Sequence, residues 1–281
     1  MDNHNGKTVI GLRNGTICVR EEDGSVNEIM KSHSEGEVWG LDLNPDNEEE
    51  VYTTGDDNKI MCWNYKTHEC KQIFKITDDI RKQPKGRGAS SSSRLAHSQM
   101  ARAIAHRGSE FAVGCNDGSV RIYSNDGEEQ QCLRDAREWI EVMSYSADKC
   151  RLAVGSHDNK IYVYDAENGY TLLNTLKGHS SYIMALDWSQ DGSYIRSNCG
   201  AYELLFFTTA DGEQDKNGRS NTTGTVWNTE TVKFGWHTEG IYPKGTDGTH
   251  INSVATNDQG ASLLATADDY GLVNLFNNPC R

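Results

Sequence analysis

A short phrase recurs along this chain at intervals of about 40 residues, and that interval restricts the fold more than any other feature. The phrase is a small residue, then Asp-Asn or Asp-Gly, then alternating apolar residues ending in an aromatic. It reads GDDNKIMCW from Gly55 to Trp63, GCNDGSVRIY from Gly114 to Tyr123, GSHDNKIYVY from Gly155 to Tyr164 and ADDYGLVNLF from Ala267 to Phe276. A shorter relative, GLRNGTICV, runs from Gly11 to Val19, and a degenerate one, NCGAYELLFF, from Asn198 to Phe207. Asp-Asn and Asp-Gly supply the positive φ angles of a two-residue hairpin turn. The alternation after the turn is that of a half-buried strand. Runs before the turn, such as VYTT at Val51 to Thr54 and LAV at Leu152 to Val154, are the partner strands. Each unit is therefore a hairpin with a further strand on either side.

The spacing selects the architecture. Gly15 to Asn58 is about 43 residues and Gly118 to Asn159 about 41, the period of a four-stranded propeller blade. Wider gaps of about 60 residues (Asn58 to Gly118) and about 112 (Asn159 to Gly271) hold further units plus insertions. The first strand of a unit is visible as VWGLDLNP after Glu37, WIEVMSYS after Glu138, YIMALDWS after Ser181 and INSVATN after His250. A turn such as Ser189-Gln190-Asp191-Gly192 follows it. Six units result, at 7–31, 36–75, 76–135, 136–178, 179–228 and 229–281. Helical periodicity nowhere survives beyond a turn or two, which excludes a helical solenoid, and a sandwich would not repeat at this period. The expectation is an all-β propeller over 7–281 with about six blade units. It begins inside a blade, with no strand before Lys7, and is either an incomplete ring, as in a fragment or short paralogue, or a tightly closed one.

Charge and motif content exclude several function classes. The formal net charge of −13 argues against generic nucleic-acid binding and against adsorption to anionic lipid. No apolar run approaches the roughly 18 residues of a membrane span, and the polar Met1–Lys7 stretch is not a signal peptide. The eight cysteines form no CxxC pair and several fall in strand-like runs, the usage of buried thiols in a reducing cytoplasm. Nucleophile-elbow, phosphate-loop, dinucleotide and zinc-protease motifs are absent, and the nine histidines lack metal-ligand spacing. The chain is therefore expected to be a non-enzyme with no cofactor and no metal.

The second unit carries the residue types of a WD repeat. His33 precedes the first strand, Thr53 or Thr54 lies in the second, Asp57 is in the turn and Trp63 ends the third. In WD repeats these types form a buried chain from Trp to Ser/Thr to His to Asp, and the resemblance makes His33, Thr53, Asp57 and Trp63 structural. A buried His and Asp are tolerable only when each has a partner. The fifth unit keeps Gly178-His179 but has no turn Asp, so its network is expected to be incomplete.

Three stretches narrow the resemblance to the echinoderm microtubule-associated-protein-like (EMAP-like) family. They are SHSEGEVWGLDLNP at Ser32–Pro45, GSYIRSNCGAYELLFF at Gly192–Phe207 and TADDYGLVNLFNNPC at Thr266–Cys280. The last is similar to the family's TGDDFGLVKLFDFPC element. The resemblance implies a WD40-type β-propeller, specifically the second of the family's two tandem propellers. It implies noncovalent binding of tubulin or microtubules and a place on the cytoplasmic cytoskeleton. The family's trimerising coiled coil and hydrophobic HELP motif are not found in this sequence. A general WD-repeat scaffold for other protein partners is the alternative.

Two insertions stand apart. From Ile80 to Arg107 there is no acidic residue, while Arg81, Lys82, Lys85, Arg87, Arg94, Arg102 and Arg107 all fall there around a serine run at Ser90–Ser93. The segment 80–107 reads either as a solvated loop or as a basic arm for an acidic partner such as the tubulin tails. The second insertion, ADGEQDKNGR at Ala210–Arg219, lacks the ligand order of a calcium loop. After it, Trp227, Phe234, Trp236 and Tyr242 form an aromatic cluster, expected to pack in the core or to anchor a partner.

Overall fold

The computed structural model describes the chain apart from residues 1, 5–6, 14, 35, 77–99, 243–244, 246–249 and 258–261. Six antiparallel sheets follow one another along the described chain. The first is β1 (Asp2–His4), β2 (Lys7–Gly11), β3 (Ile17–Arg20) and β4 (Val26–Met30); the second is β5 (Val38–Leu43), β6 (Glu50–Gly55), β7 (Lys59–Asn64) and β8 (Glu69–Lys75). The third is β9 (Ala101–His106), β10 (Glu110–Cys115), β11 (Val120–Ser124) and β12 (Glu129–Leu133); the fourth is β13 (Ile140–Tyr145), β14 (Arg151–Ser156), β15 (Ile161–Asp165) and β16 (Thr171–Leu176). The fifth has β17 (Ile183–Trp188), β18 (Tyr194–Cys199) and β19 (Leu204–Thr208), and the sixth β20 (Ile251–Thr256), β21 (Leu263–Asp268) and β22 (Val273–Asn277). Strands pair in chain order within each sheet, the meander of a propeller blade.

The hairpin turns hold the residues that the repeat predicts. Asn58 and Asn159 take φ of 59° and 66°, and Gly118 and Gly271 take 80° and 75°. An L-residue pays for that region sterically, and Asn and Gly pay least.

Three expectations are corrected. A strand does precede Lys7: β1 pairs with β2, with Asp2 opposite Val9 and His4 opposite Lys7. Its residues are polar, so hydrophobic alternation did not reveal it. The basic insertion does not reach Arg107, because β9 starts at Ala101 and pairs with β10 from His106 opposite Phe111 to Ala101 opposite Cys115. The fifth and sixth sheets show three strands each rather than four. Beyond β19 the chain instead folds along that strand's edge: the Asp215 N–H donates to the Phe206 carbonyl at 2.9 Å and the Thr208 N–H to the Glu213 carbonyl at 3.0 Å. A short helix, α1 (Gly218–Asn221), and an irregular run to Tyr242 follow.

The chain divides into two compact units, Met1–Cys132 and Leu133–Arg281. In the first, Tyr52, Ile60 and Cys62 of the second sheet share a core with Ile104, Phe111, Val113 and Tyr123 of the third. Phe111 is its centre, with ring centroids 5.1 Å from Tyr52 and 5.5 Å from Tyr123. In the second unit, Ala153, Ile161 and Val163 of the fourth sheet pack on Ile183, Leu186, Trp188 and Phe207 of the fifth. Gly155 sets that approach. A Cβ there would stand 2.7 Å from Ile183 Cγ2 and from Val142 Cγ1, inside van der Waals contact. Ile251, Val254, Leu264 and Ile241 make a smaller core of their own.

Candidate functional site

The second sheet assembles the four residues expected of its WD network. The Trp63 Nε1–H donates to Thr53 Oγ1 at 2.8 Å. Thr53 Oγ1 lies 2.9 Å from His33 Nε2, and His33 Nδ1 lies 2.8 Å from Asp57 Oδ1. The other Asp57 oxygen accepts the Ser34 backbone N–H at 3.0 Å and faces Lys59 Nζ at 3.1 Å. The Asp57 and His33 side chains keep 3% and 8% of their exposure, so their partners are protein groups rather than bulk water. Burial pushes the Asp57 carboxyl up, but hydrogen bonds from His33, the Ser34 N–H and Lys59 outweigh it and hold the group below its ordinary range. Between the two candidate threonines, Thr53 enters the chain, and Thr54 Oγ1 is buried without a partner.

The fifth sheet corrects one part of the expectation of an incomplete network: the missing turn Asp has a substitute, while the Trp has none. Ser197 takes the place of Thr53: its Oγ lies 2.7 Å from His179 Nε2. Glu203, from the β18–β19 turn, takes the place of Asp57, with Oε2 3.3 Å from His179 Nδ1. Its carboxylate accepts the Ser180 N–H at 2.9 Å, the Ser180 hydroxyl at 2.9 Å and the Cys199 thiol at 3.0 Å. Those donors, the Ser180 N–H and the thiol foremost, pull the Glu203 carboxyl down to about 2. Burial pushes the His179 ring down as well. His179, Cys199 and Glu203 bring potential metal-ligand atoms within 4.8 Å of one another, and these hydrogen bonds account for that closeness. Phe207 stands where the register of the second sheet has Trp63, so the relay here begins at the serine.

A second recurrent feature was not visible in the sequence. In five sheets the register slips by one residue between the first and second strands, at Trp39, Arg102, Glu141, Met184 and Asn252. Such a bulge re-aims the side chain it carries. In the first unit two bulge residues meet: the Arg102 guanidinium lies over the Trp39 ring, 3.9 Å from its centre, and the Trp39 Nε1–H donates to Asp56 at 2.9 Å. Arg102 is 9% exposed. Arg107 faces Glu110 at 3.3 Å. Arg102 therefore belongs to buried β9, whose small apolar residues surround it, and Arg107 to the turn between β9 and β10. Arg81, Lys82, Lys85, Arg87 and Arg94 lie outside the described residues.

The aromatic cluster after the second insertion lines a cavity of about 840 Å³ in the second unit, with Trp227, Phe234, Trp236 and Tyr242 in its wall. Arg196 of β18 and Phe206 of β19, opposite each other in register, form part of the facing wall. The insertion itself is tied up by its own acids. Asp211 accepts the Glu213 N–H at 3.1 Å, and Asp215 accepts the Asn217 N–H and the Asn221 amide at 2.9 and 2.8 Å. Sequence reasoning marked the aromatics but missed Arg196 of β18 and, in the irregular run, Lys233 and His237, which line the same cavity.

Comparison with known proteins matches this architecture. Residues 38–281 fit the family model described as the echinoderm microtubule-associated protein second beta-propeller. The ciliary WD repeat-containing protein ctxp80 of Euplotoides octocarinatus is 48% identical over 100% of this chain and 39% of its own length. Echinoderm microtubule-associated protein-like 2 of Rattus norvegicus is 33% identical over 96% of this chain and 39% of its own. The chain thus spans about two fifths of the length of these curated relatives. A chain in the crystal structure of the mitotic checkpoint complex superposes with a TM-score of 0.51 at 18% identity, covering 85% of this chain and 62% of that one, a likeness of fold. Taken with the six meander sheets and the relays of the second and fifth, the match over residues 38–281 places this chain in the echinoderm microtubule-associated protein family, as a second β-propeller of the EMAP-like type.

Proposed function

We propose that the chain is a non-catalytic protein-binding propeller that associates with tubulin or microtubules on the cytoplasmic cytoskeleton. The observation that carries this reading is family membership across almost the whole chain, shared with relatives named for microtubule association. The site geometry supports the non-catalytic part. His33, Asp57, His179 and Glu203 are spent on hydrogen bonds within their own sheets, so they leave no acid–base pair open to a substrate. We take the His33–Thr53–Asp57–Trp63 chain as scaffolding that fixes the turn and the strand leader of its blade. No helix among the described residues is long and apolar enough to cross a membrane.

The decisive experiment is co-sedimentation of the purified chain with assembled microtubules at low and moderate salt. Binding that follows microtubule concentration supports the proposal, and a chain that stays in the supernatant at both salts overturns it in favour of a scaffold for other proteins. A basic arm within the insertion 80–107, from the part before Ala101, is proposed as one contributor. Replacing Arg81, Lys82, Lys85, Arg87 and Arg94 by Ser then removes most of the binding and its salt dependence. Unchanged binding would discard the arm and leave the propeller surface as the contact.

A further inference from the structure

Hydrogen-bond donors crowd in and behind the wall of the second unit's cavity, and two buried side-chain nitrogens there have no partner. Asp187, which is fully buried, accepts five of them: Arg196 Nε at 3.0 Å, the Thr229 hydroxyl at 2.8 Å, the Thr231 N–H at 2.7 Å and hydroxyl at 2.9 Å, and the Val232 N–H at 3.2 Å. A carboxylate offers about four lone-pair sites, so Asp187 has no capacity left. Arg196 is 6% exposed, its guanidinium lies 4.3 Å from the centre of the Trp227 ring, and its Nη2 is enclosed with no acceptor. His237, 5% exposed, has a buried Nε2 with no partner. Burial and the nearby Arg196 charge push this ring down to about 4, so it is neutral at physiological pH. Lys233, also 5% exposed, donates to the carbonyls of Ile251 and Asn252 at 3.0 and 3.1 Å and makes no ion pair among the described residues. Glu230 and Glu239 also line the cavity, with Glu230 turned to the Asn278 amide at 2.9 Å, so its three lining cations, Arg196, Arg219 and Lys233, outnumber its acids by one.

Buried donors without acceptors are costly, and a buried cation without a counter-charge more so. An anion with several acceptor oxygens supplies the acceptor that Arg196 Nη2 lacks, a counter-charge for Lys233 and, with the ring proton on Nε2, an acceptor for His237, and a carboxylate matches the guanidinium in shape. Phe206, Trp227 and Trp236 supply apolar wall for the methylenes of a glutamate side chain. About 840 Å³ is far more than one carboxylate needs and lies within the range of ligand sites.

We propose that this cavity is a binding site for an acidic peptide segment of a partner protein, with a glutamate carboxylate held by Arg196, His237 and Lys233. The inference goes beyond microtubule association, since it concerns one cavity and holds whichever protein carries the segment. The test is fluorescence polarisation of a labelled ten-glutamate peptide with the purified chain. Saturable binding is expected. Arg196→Gln and Lys233→Met should each weaken it about tenfold, the scale of a lost charge-assisted contact. Lys66→Ser, which breaks a surface ion pair with Glu49 in the first unit, should leave it unchanged. Absence of binding, or binding indifferent to both cavity substitutions, overturns the site. Free glutamate competing as well as the peptide, at equal concentration, overturns the assignment to a peptide. Should both variants fail to fold, the wild-type chain still decides by NMR titration of His237. An anion seated beside the ring raises its pKa from about 4, and a ring whose pKa does not move on peptide addition refutes the proposal.

Discussion

Glu203 is to His179 what Asp57 is to His33: each carboxylate faces its histidine's Nδ1 and accepts the backbone N–H of the residue after it. Glutamate's extra methylene reaches the same place from β18–β19, and the Cys199 thiol adds a donor with no counterpart in the second sheet.

Replacing Glu203 by Gln should therefore destabilise the second unit by about 1 kcal/mol, the scale of charge-assisted hydrogen bonds weakened at a site that is a third exposed. The acid limb of stability should change with it. The Glu203 pKa lies at about 2 when folded against an ordinary 4.5, so the folded state binds the proton less readily. Its contribution is fully present above about pH 4.5 and is lost as pH falls toward 2. Urea unfolding at several pH values should show E203Q converging on the wild type at the acid end. Parallel curves would sink the relay's electrostatic role.

The second sheet offers a graded comparison. Trp63→Phe removes one donor to Thr53 and keeps most of the ring, so it should cost about 1 kcal/mol. Thr53→Val strips the acceptor from Trp63 and the partner from His33 together, and should cost more, up to about 3 kcal/mol. Equal losses in equilibrium unfolding would show that the threonine hydroxyl is not the hub.

Arg102 should behave as a packing residue. Arg102→Ala uncovers the Trp39 ring and should lower stability by roughly 1–2 kcal/mol. Microtubule co-sedimentation by any fraction that remains folded should be unaffected. A selective loss of binding with stability intact would return Arg102 to the basic arm.

The organisation of the chain was legible because its signals are local. A hairpin needs only a two-residue turn and period-2 alternation, and both are written within ten residues at Gly55–Trp63 and Gly155–Tyr164. The His33 relay was legible through its resemblance to a recurring pattern. What escaped depends on three-dimensional placement. Glu203 sits four residues past Cys199 and looks like any surface acid until the turn folds it onto His179. Arg102 sits in a segment whose neighbours to the N-terminal side are basic and serine-rich, which masked the strand that starts at Ala101. The cavity joins Arg196 of β18 to Lys233 and His237 of the irregular run some forty residues on, and no spacing rule links them.

Cys115 provides a chemical test of the first core. Burial pushes its thiol up to about 12, and it is 0% exposed. The thiolate is the reactive form, so Cys115 should resist alkylation by iodoacetamide at pH 8 while the native fold lasts. It should label in urea. Peptide mass spectrometry reads both states, and native labelling of Cys115 at the rate of the part-exposed Cys150 would contradict the packing around Phe111.

Gly155→Ala should disrupt the fourth and fifth sheets. Its new methyl carbon meets Ile183 and Val142 at 2.7 Å, and relieving that overlap should cost about 1–3 kcal/mol. A variant as stable as the wild type would mean that the two sheets can slide apart without penalty.

Each relay begins and ends inside one sheet: the histidine from the strand leader, the hydroxyl from the second strand, the carboxylate from the turn behind it. A blade can therefore inherit, lose or rewrite its own lock without any matching change in its neighbours. Drift in the repeat is then no measure of decay. One blade can trade Asp for Glu and Trp for Phe while the bulge positions and loops around it are free to diverge toward new partners, so the same frame can carry surfaces that share almost nothing.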